Sequence, residues 1–112
     1  MSLPESSYGV TSGLMEGYRQ YLIHSRKVTQ FTVRMYVNIV RRFHNHVGKP
    51  YVAINQEDIQ GYVNFLRDSE QRTVNSAIRH LAAIRKFYDY LSLRGEIANN
   101  PCDGVRLKAW PR

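Results

Sequence analysis

The chain has 112 residues, enough for one domain with a modest core, and 43% of them are hydrophobic. Sixteen lysines and arginines against nine acidic residues give a formal net charge of +7, which favours a polyanionic partner, nucleic acid first and an anionic membrane surface second. The single cysteine excludes an internal disulfide and a cysteine-based zinc site, and the absence of a long apolar run or a signal-peptide pattern predicts a cytoplasmic protein without a membrane partner.

The N-terminal segment is small and polar, and we predict that residues 1–12 form a flexible arm. The domain itself is expected to span residues 13–100. A first helix runs from about Ser12 to His24, because apolar and aromatic side chains recur there at helical spacing. They are Leu14, Tyr18, Tyr21 and Leu22.

The second predicted helix, from about Gln30 to Val47, has a clear amphipathic pattern. Gly48-Lys49-Pro50 ends it, since glycine suits a left-handed C-cap and proline cannot continue a helix. One apolar face collects six residues: Val33, Tyr36, Val37, Val40, Phe43 and Val47.

A short connector from Tyr51 to Ile54 leads to a third helix, which Asn55 is well suited to cap. Its apolar face consists of Ile59, Tyr62, Val63 and Leu66.

The fourth predicted helix runs from about Arg72 to Leu93, with either Ser69 or Thr73 as its N-cap, and Gly95 ends it. Its predicted apolar stripe consists of Val74, Ile78, Leu81, Ile84, Tyr88 and Leu91. Four helices with short links predict a compact all-α four-helix bundle. Residues 101–112 are expected to form an extended linker toward a further domain.

Two helices carry a polar face without acidic residues. On the fourth helix this face is predicted to hold Arg72, Ser76, Arg79, Ala83, Lys86 and Tyr90, and on the second Arg34, Asn38, Arg41 and Asn45. Most acids of the helical body are expected on or beside the third helix, at Glu57, Asp58, Asp68 and Glu70. A solvated helix face usually mixes both signs, so the pattern favours contact with DNA or RNA over a merely basic surface.

The segment Thr73–Leu91, followed by Gly95-Glu-Ile and Asn100-Pro101, resembles the last helix of the N-terminal domain of tyrosine recombinases, such as phage integrases and Xer recombinases. In that family the helix typically carries a Leu-Ser-Ala-Leu-Arg-type core, an aromatic pair, a Tyr-Leu and then an Asn-Pro. The Thr-x-x-x-Tyr spacing of Thr32 and Tyr36 is also similar to the family. Further matching positions are Leu14, Tyr18, Leu22, Phe43, Asp58, Ile59 and Tyr62.

The resemblance implies a core-binding, SAM-like domain that forms half of a clamp around DNA, with the second and fourth helices crossing the major groove. It implies DNA contact at Thr29, Gln30, Thr32 and Arg34, and at Arg72, Thr73, Asn75, Ser76 and Arg79. We expect phosphate contacts from Arg34, Arg79 and Lys86, with Arg41 on the same basic face, and base contacts from Gln30, Asn75 and Ser76. Thr29 and Thr73 are equally well interpreted as helix caps, whereas Arg42 and Arg85 lie nearer the apolar stripes.

The family's strand exchange uses a tyrosine nucleophile with arginine, histidine and lysine residues, which the resemblance assigns to a separate C-terminal catalytic domain. Arg79-His80 does not match the family's His-x-x-Arg-His motif, because Ser76 stands where the first histidine would be. We therefore expect no catalytic residue, no metal and no cofactor here. The expected partners are duplex DNA, the catalytic domain of the same chain and other recombinase protomers. A helical protein–protein interaction module is the alternative.

Overall fold

The computed structural model describes residues 12–25 and 28–107. It contains helices α1 (Ser12–Ser25), α2 (Gln30–Val47), α3 (Gln56–Asp68) and α4 (Val74–Leu93), with a short 3₁₀ turn at Tyr51–Ala53. No strand occurs in these ranges, so the predicted all-α four-helix bundle is confirmed. Most of the predicted N-terminal arm and the last five residues of the predicted linker lie outside the described residues.

The ends of α2 follow the local signals in the sequence. The hydroxyl oxygen of Thr29 accepts a hydrogen bond from the backbone N–H of Thr32 at 3.1 Å, which identifies Thr29 as the N-cap. Gly48 closes the helix in the left-handed region with φ of 70°. Glycine adopts this conformation without the steric cost of a Cβ, as the sequence predicted.

Side-chain caps also fix the beginnings of α3 and α4. Asn55 and Asp58 form a reciprocal capping box, in which each side chain accepts a backbone N–H of the other residue. Thr73 caps α4 by accepting from the N–H of Ser76 at 3.2 Å. This resolves the choice between Ser69 and Thr73 in favour of Thr73.

The core is built mainly from the predicted apolar faces. All four predicted residues of α3 are buried, as are Leu14, Tyr18 and Leu22 of α1. Three of the six predicted α2 residues are fully buried, and Tyr36, Val37 and Val47 are half-buried around them. Several buried residues lie outside the predicted apolar faces: Met15, Ile39, Ile54, Ala77, Ala83, Phe87, Tyr90 and Cys102, together with the histidines His44 and His80.

The faces of α4 differ from the sequence prediction. Ala83 and Tyr90 were expected on the free face, but they are 0% and 9% exposed, whereas Ile78 of the predicted apolar stripe is 50% exposed. Helix α1 covers the face that was expected to be free. The contact is shown by the Tyr18 hydroxyl, which donates to the carbonyl oxygen of Ala83 at 2.8 Å. Since α4 contacts all three other helices, it is buried over more of its circumference than a single stripe.

A close approach of α1 to α4 depends on a glycine. A Cβ added to Gly17 would lie 2.0 Å from the hydroxyl oxygen of Tyr90. That hydroxyl accepts a hydrogen bond from Arg94, and the Tyr90 ring packs against Tyr21 with centroids 5.4 Å apart. The ring is therefore held where the glycine leaves space for it.

We expect Gly17→Ala to destabilise the bundle by about 1–2 kcal/mol, because the clash with Tyr90 outweighs the roughly 1 kcal/mol that alanine gains in a helix. Tyr90→Phe removes the clashing oxygen. The double variant Gly17→Ala/Tyr90→Phe is therefore expected to be more stable than the sum of the two single losses of unfolding free energy predicts. Urea unfolding of the four proteins in a double-mutant cycle measures this coupling. If the two losses of unfolding free energy were strictly additive, the result would contradict the predicted clash between residue 17 and the Tyr90 hydroxyl.

The first part of the predicted linker packs on the bundle. Cys102 is fully buried, and burial raises the pKa of its thiol to about 12. Arg85 donates to the carboxylate of Asp103 at 2.9 Å. The side chain of Gln60 on α3 exchanges two hydrogen bonds with the backbone of Arg106, both 2.9 Å long. Up to Leu107, the segment expected to be extended is thus docked against α3 and α4.

Among the described residues, no helix is both long and apolar enough to cross a membrane.

Candidate nucleic-acid interface

An open groove of about 390 Å³ lies between α2 and the beginning of α4. The α2 side contributes Phe31, Arg34, Met35, Asn38, Ile39 and Arg42, and the α4 side contributes Arg72, Ser76, Arg79 and His80. We call these ten residues the α2–α4 groove. Four of them are arginines and none is acidic.

Helical periodicity explains why these side chains meet. On α2 the residues recur at i, i+3, i+4 and i+7 from Phe31, which places them on one side of the helix. On α4 the Thr73 cap sets the start of the helix, and Ser76, Arg79 and His80 follow within its first two turns. Close packing of α2 on α4 then turns two adjacent helix faces into one concave surface.

The groove holds two arginines that no carboxylate of the described residues neutralises. Neither Arg34 nor Arg79 forms an ion pair with any residue in the described ranges, and both side chains are exposed. Guanidinium groups without an internal carboxylate gain most from an external anion, because they lose no existing partner when they bind it. The electrostatics of the groove therefore favour a negatively charged ligand.

The other two groove arginines share a carboxylate. Glu70, in the connection between α3 and α4, accepts from Arg42 and also from Nε of Arg72 at 3.0 Å. From the sequence, Glu70 was expected among the acids on or beside the third helix, away from the basic faces. The chain reversal after α3 instead brings its side chain against both groove arginines, so this expectation was wrong.

A buried histidine forms part of the groove floor. His80 is 6% exposed, and its Nδ1 lies 3.1 Å from the hydroxyl oxygen of Tyr62. Burial, followed by the positive charges of Arg72 and Arg42, lowers the pKa of His80 to about 4. The imidazole is therefore neutral at physiological pH, and its Nδ1 atom shares a hydrogen bond with the Tyr62 hydroxyl.

The structure brings together some of the eleven residues expected to contact DNA. Arg34, Arg72, Ser76 and Arg79 line the α2–α4 groove. Thr29 and Thr73 serve as helix caps, and the Thr32 hydroxyl accepts from that of Thr29 at 3.1 Å. Gln30 lies outside the groove, in a neighbouring hollow of about 460 Å³ between α1 and α2 that also contains Arg19 and Arg34.

Three of the expected contact residues stand apart from both concavities. Arg41 and Asn75 are exposed and Lys86 is half-buried, and none of the three lines the groove or the hollow. Lys86 follows Arg79 by seven residues on α4, so it stays on nearly the same side of the helix about 10 Å further along. Neither Arg41 nor Lys86 has an ion-pair partner within the described ranges.

Several groove residues were not predicted from the sequence. Phe31, Met35 and Ile39 were not singled out, and His80 was considered only as part of a catalytic motif that does not match. Arg42 was placed nearer the apolar stripe and not among the DNA contacts. Phe31 carried a usable signal, because it begins the i, i+3, i+4, i+7 row that contains Arg34 and Asn38. It is 69% exposed, an unusual position for a large aromatic side chain.

Comparison with known proteins gives one family. The family described as phage integrase, N-terminal SAM-like domain, matches residues 15–95. The chain is 28% identical over 99 residues to a protein named tyrosine recombinase from Thermosipho africanus (strain TCF52B), covering 83% of this chain and 34% of that relative. It is also 28% identical over 93 residues to a protein named tyrosine recombinase XerD from Listeria monocytogenes serotype 4b (strain F2365), covering 79% of this chain and 31% of that relative. No solved structure gives a match.

Proposed function

The chain belongs to the family of phage integrase N-terminal SAM-like domains, and from this premise we propose that it binds duplex DNA through the α2–α4 groove. The observation that carries the proposal is that Arg34 and Arg79, which have no ion-pair partner among residues 12–25 and 28–107, line opposite walls of one groove. Duplex DNA supplies closely spaced phosphates that such groups bind with release of counterions.

The other groove side chains support a nucleic-acid ligand over a simple anion. Asn38 and Ser76 lie beside the arginines and can donate to and accept from base edges or phosphate oxygens. Arg41 and Lys86 extend the positive surface beyond the groove itself. We assign Arg34, Arg79 and Lys86 to phosphate contacts and Ser76 to a base edge; Gln30 and Asn75 are further candidates at the ends of this surface.

At the level of the whole protein, we propose a site-specific tyrosine recombinase. The chain spans 34% and 31% of the lengths of two relatives with that name, so the strand-exchange chemistry is assigned to residues outside it. This domain would hold the recombination site, and its partners would include a catalytic domain of the same protein and further recombinase protomers. Binding to chromosomal DNA corresponds to a cytoplasmic, nucleoid-associated location.

The experiment that tests DNA binding is a titration of a fluorescent duplex at several salt concentrations. We expect weak, mostly non-specific binding with a Kd on the order of 1–100 μM near physiological salt. The plot of log K against log salt is expected to have a slope of about −2 to −4, because two to four cations reach phosphates and each contributes about −0.9. No binding, or a slope near zero, would contradict the proposal.

A protein–protein interaction module would need a concentrated apolar surface. The large apolar side chains exposed in the described ranges are instead spread over α1, α2, the 3₁₀ turn and both ends of α4. They are Ile23, Phe31, Val52, Ile78 and Leu93. Their dispersion gives this alternative no specific support.

A further inference from the structure

Glu70 is the one acidic residue of the described ranges that contacts arginines from both walls of the α2–α4 groove. Its Oε2 atom accepts from Nη2 of Arg42 on α2, and its Oε1 atom accepts from Nε of Arg72, just before α4. Both arginines line the groove. A single carboxylate therefore spans the two sides of the proposed binding surface.

The local backbone fixes this carboxylate in place. The N–H of Glu70 donates to the carbonyl oxygen of Phe65 at 3.1 Å, and the N–H of Arg72 donates to that of Leu66 at 2.9 Å. Between them Gln71 has φ of 51°, a left-handed conformation that reverses the chain after α3. The side chain of Glu70 is only 23% exposed, so it cannot swing far into solvent without losing both arginines.

A carboxylate between two guanidinium groups has the charge and acceptor geometry that a DNA phosphate would offer them. Arg42 and Arg72 cannot give the same N–H donors to Glu70 and to a phosphate at once. Their side chains are 44% and 35% exposed, and ion pairs at that exposure are weak enough for a dense array of phosphates to compete.

We propose that Glu70 is an internal competitor for phosphate, which withholds Arg42 and Arg72 from the duplex and so limits non-specific DNA binding by the groove. The inference rests on the proposed function, since it concerns the ligand of the same surface. Arg34 and Arg79 supply the constitutive attraction, and Arg42 and Arg72 engage only when a duplex places a phosphate well enough to displace the carboxylate. Glu70 is then a specificity-determining residue, although it need not touch DNA.

The test compares Glu70→Gln with the unaltered chain in the salt titration, using a duplex of arbitrary sequence. Glutamine keeps the size of the side chain but removes the charge that holds the arginines. We expect affinity to rise about tenfold and the log–log slope to become steeper by about 1–2, because one or two further cations reach phosphates. The control is Glu57→Gln, which removes the same charge from an exposed residue in the first turn of α3, some 20 Å away along that helix.

Thermal unfolding of each variant shows whether it is folded. If Glu70→Gln does not fold, Glu70→Asp replaces it, because a shorter carboxylate cannot reach both arginines; its slope is expected to steepen by about 1. An unchanged slope overturns the inference, and so does weaker binding, which would mean that Glu70 positions the arginines for DNA. If the unaltered chain binds with a normal slope, these results leave the proposed function standing. A slope near zero in the unaltered chain overturns both.

Discussion

A variant in which Arg34 and Arg79 are both replaced by glutamate is expected to bind a DNA duplex at least about 100-fold more weakly than the unaltered chain, a loss of about 3 kcal/mol. Each replacement removes a proposed phosphate contact and adds a negative charge inside the same groove. Neither arginine has an ion-pair partner in the described ranges, so the fold loses no salt bridge. The unfolding free energy is therefore expected to change by less than about 1 kcal/mol.

The charge-matched control for this variant reverses Arg67 and Arg94 together. Because Arg67 pairs with Asp68 and Arg94 pairs with Glu96, the free energy of unfolding of the control is measured alongside its affinity for DNA. Arg67 is at the end of α3, and Arg94 follows α4, about 22 Å along the helix from Arg79. Neither lines the groove, and the change in net charge is the same. We expect the control to lose less than about fivefold in affinity. An equal loss in both double variants would mean that overall charge, and not the groove, attracts DNA.

The second large effect is a loss of stability in mild acid, caused by two buried histidines. His44 is 1% exposed at the centre of the bundle. Its Nδ1 donates to the carbonyl oxygen of Val40 at 2.9 Å, and its Nε2 lies 2.8 Å from the hydroxyl of Tyr88. Burial lowers the pKa of His44 to about 4, the same value as for His80 in the groove floor.

Both histidines are neutral in the folded chain but take up protons near pH 6.5 when the chain unfolds. The unfolded state therefore binds more protons between about pH 6.5 and pH 4, and stability falls as the pH is lowered through this window. Above about pH 6.5 the full stability is retained. Between pH 7 and pH 5 we expect the free energy of unfolding to drop on the order of 3 kcal/mol for the two groups together.

Urea unfolding at pH 7 and pH 5 measures this difference directly. His44→Gln removes one of the two titrating groups. The unfolding free energy of this variant is therefore expected to change between the two pH values about half as much as that of the unaltered chain, whatever its value at pH 7. His46→Gln is the control, because His46 is exposed and only two residues away. A stability that is the same at both pH values would contradict the account, as would a His44→Gln variant with undiminished pH dependence.

The parts of the fold that follow from neighbouring residues could be predicted from the sequence. Thr29, Asn55 and Gly48 determine helix ends through hydrogen bonds or backbone conformations within a few residues. Asn55 and Gly48 act as expected, and Thr29 is a helix cap, one of the two roles that the sequence left open for it. The apolar face of α3 was also identified completely, because that helix has one buried side with regular spacing.

The faces of α4 could not be assigned in the same way. The positions of α1, α2 and α3 determine which residues of α4 are buried. These positions cannot be deduced from a single stripe of large apolar residues on α4. Ala83 looks neutral in sequence, yet it is fully buried because α1 approaches it, and Tyr90 fits because Gly17 leaves room. Ile78 is apolar, yet it is 50% exposed in the described part of the chain.

The candidate site could be predicted only in part, because some of its features lie within one helix and others depend on how the helices pack. Charge pattern singled out Arg34 and Arg79 on separate helices, and the structure places them in one groove. The contribution of Arg42, Phe31 and His80 depends on how α2 packs against α4, which no single helix encodes. The position of Glu70 depends on the chain reversal at Gln71. Gln71 has a left-handed backbone conformation, which could not be predicted because glycine, the usual residue in that conformation, is absent at this position.

The most direct test of the central claim is an NMR titration of the 13.1 kDa chain with a short duplex, followed through backbone amide shifts. We expect the largest changes along one side of α2 from Phe31 to Arg42 and in the first two turns of α4 up to His80, with small changes at Glu57 and Leu93. Changes concentrated on α1 or on the exposed side of α3, with the groove amides unmoved, would contradict the assignment of the α2–α4 groove as the DNA-binding surface.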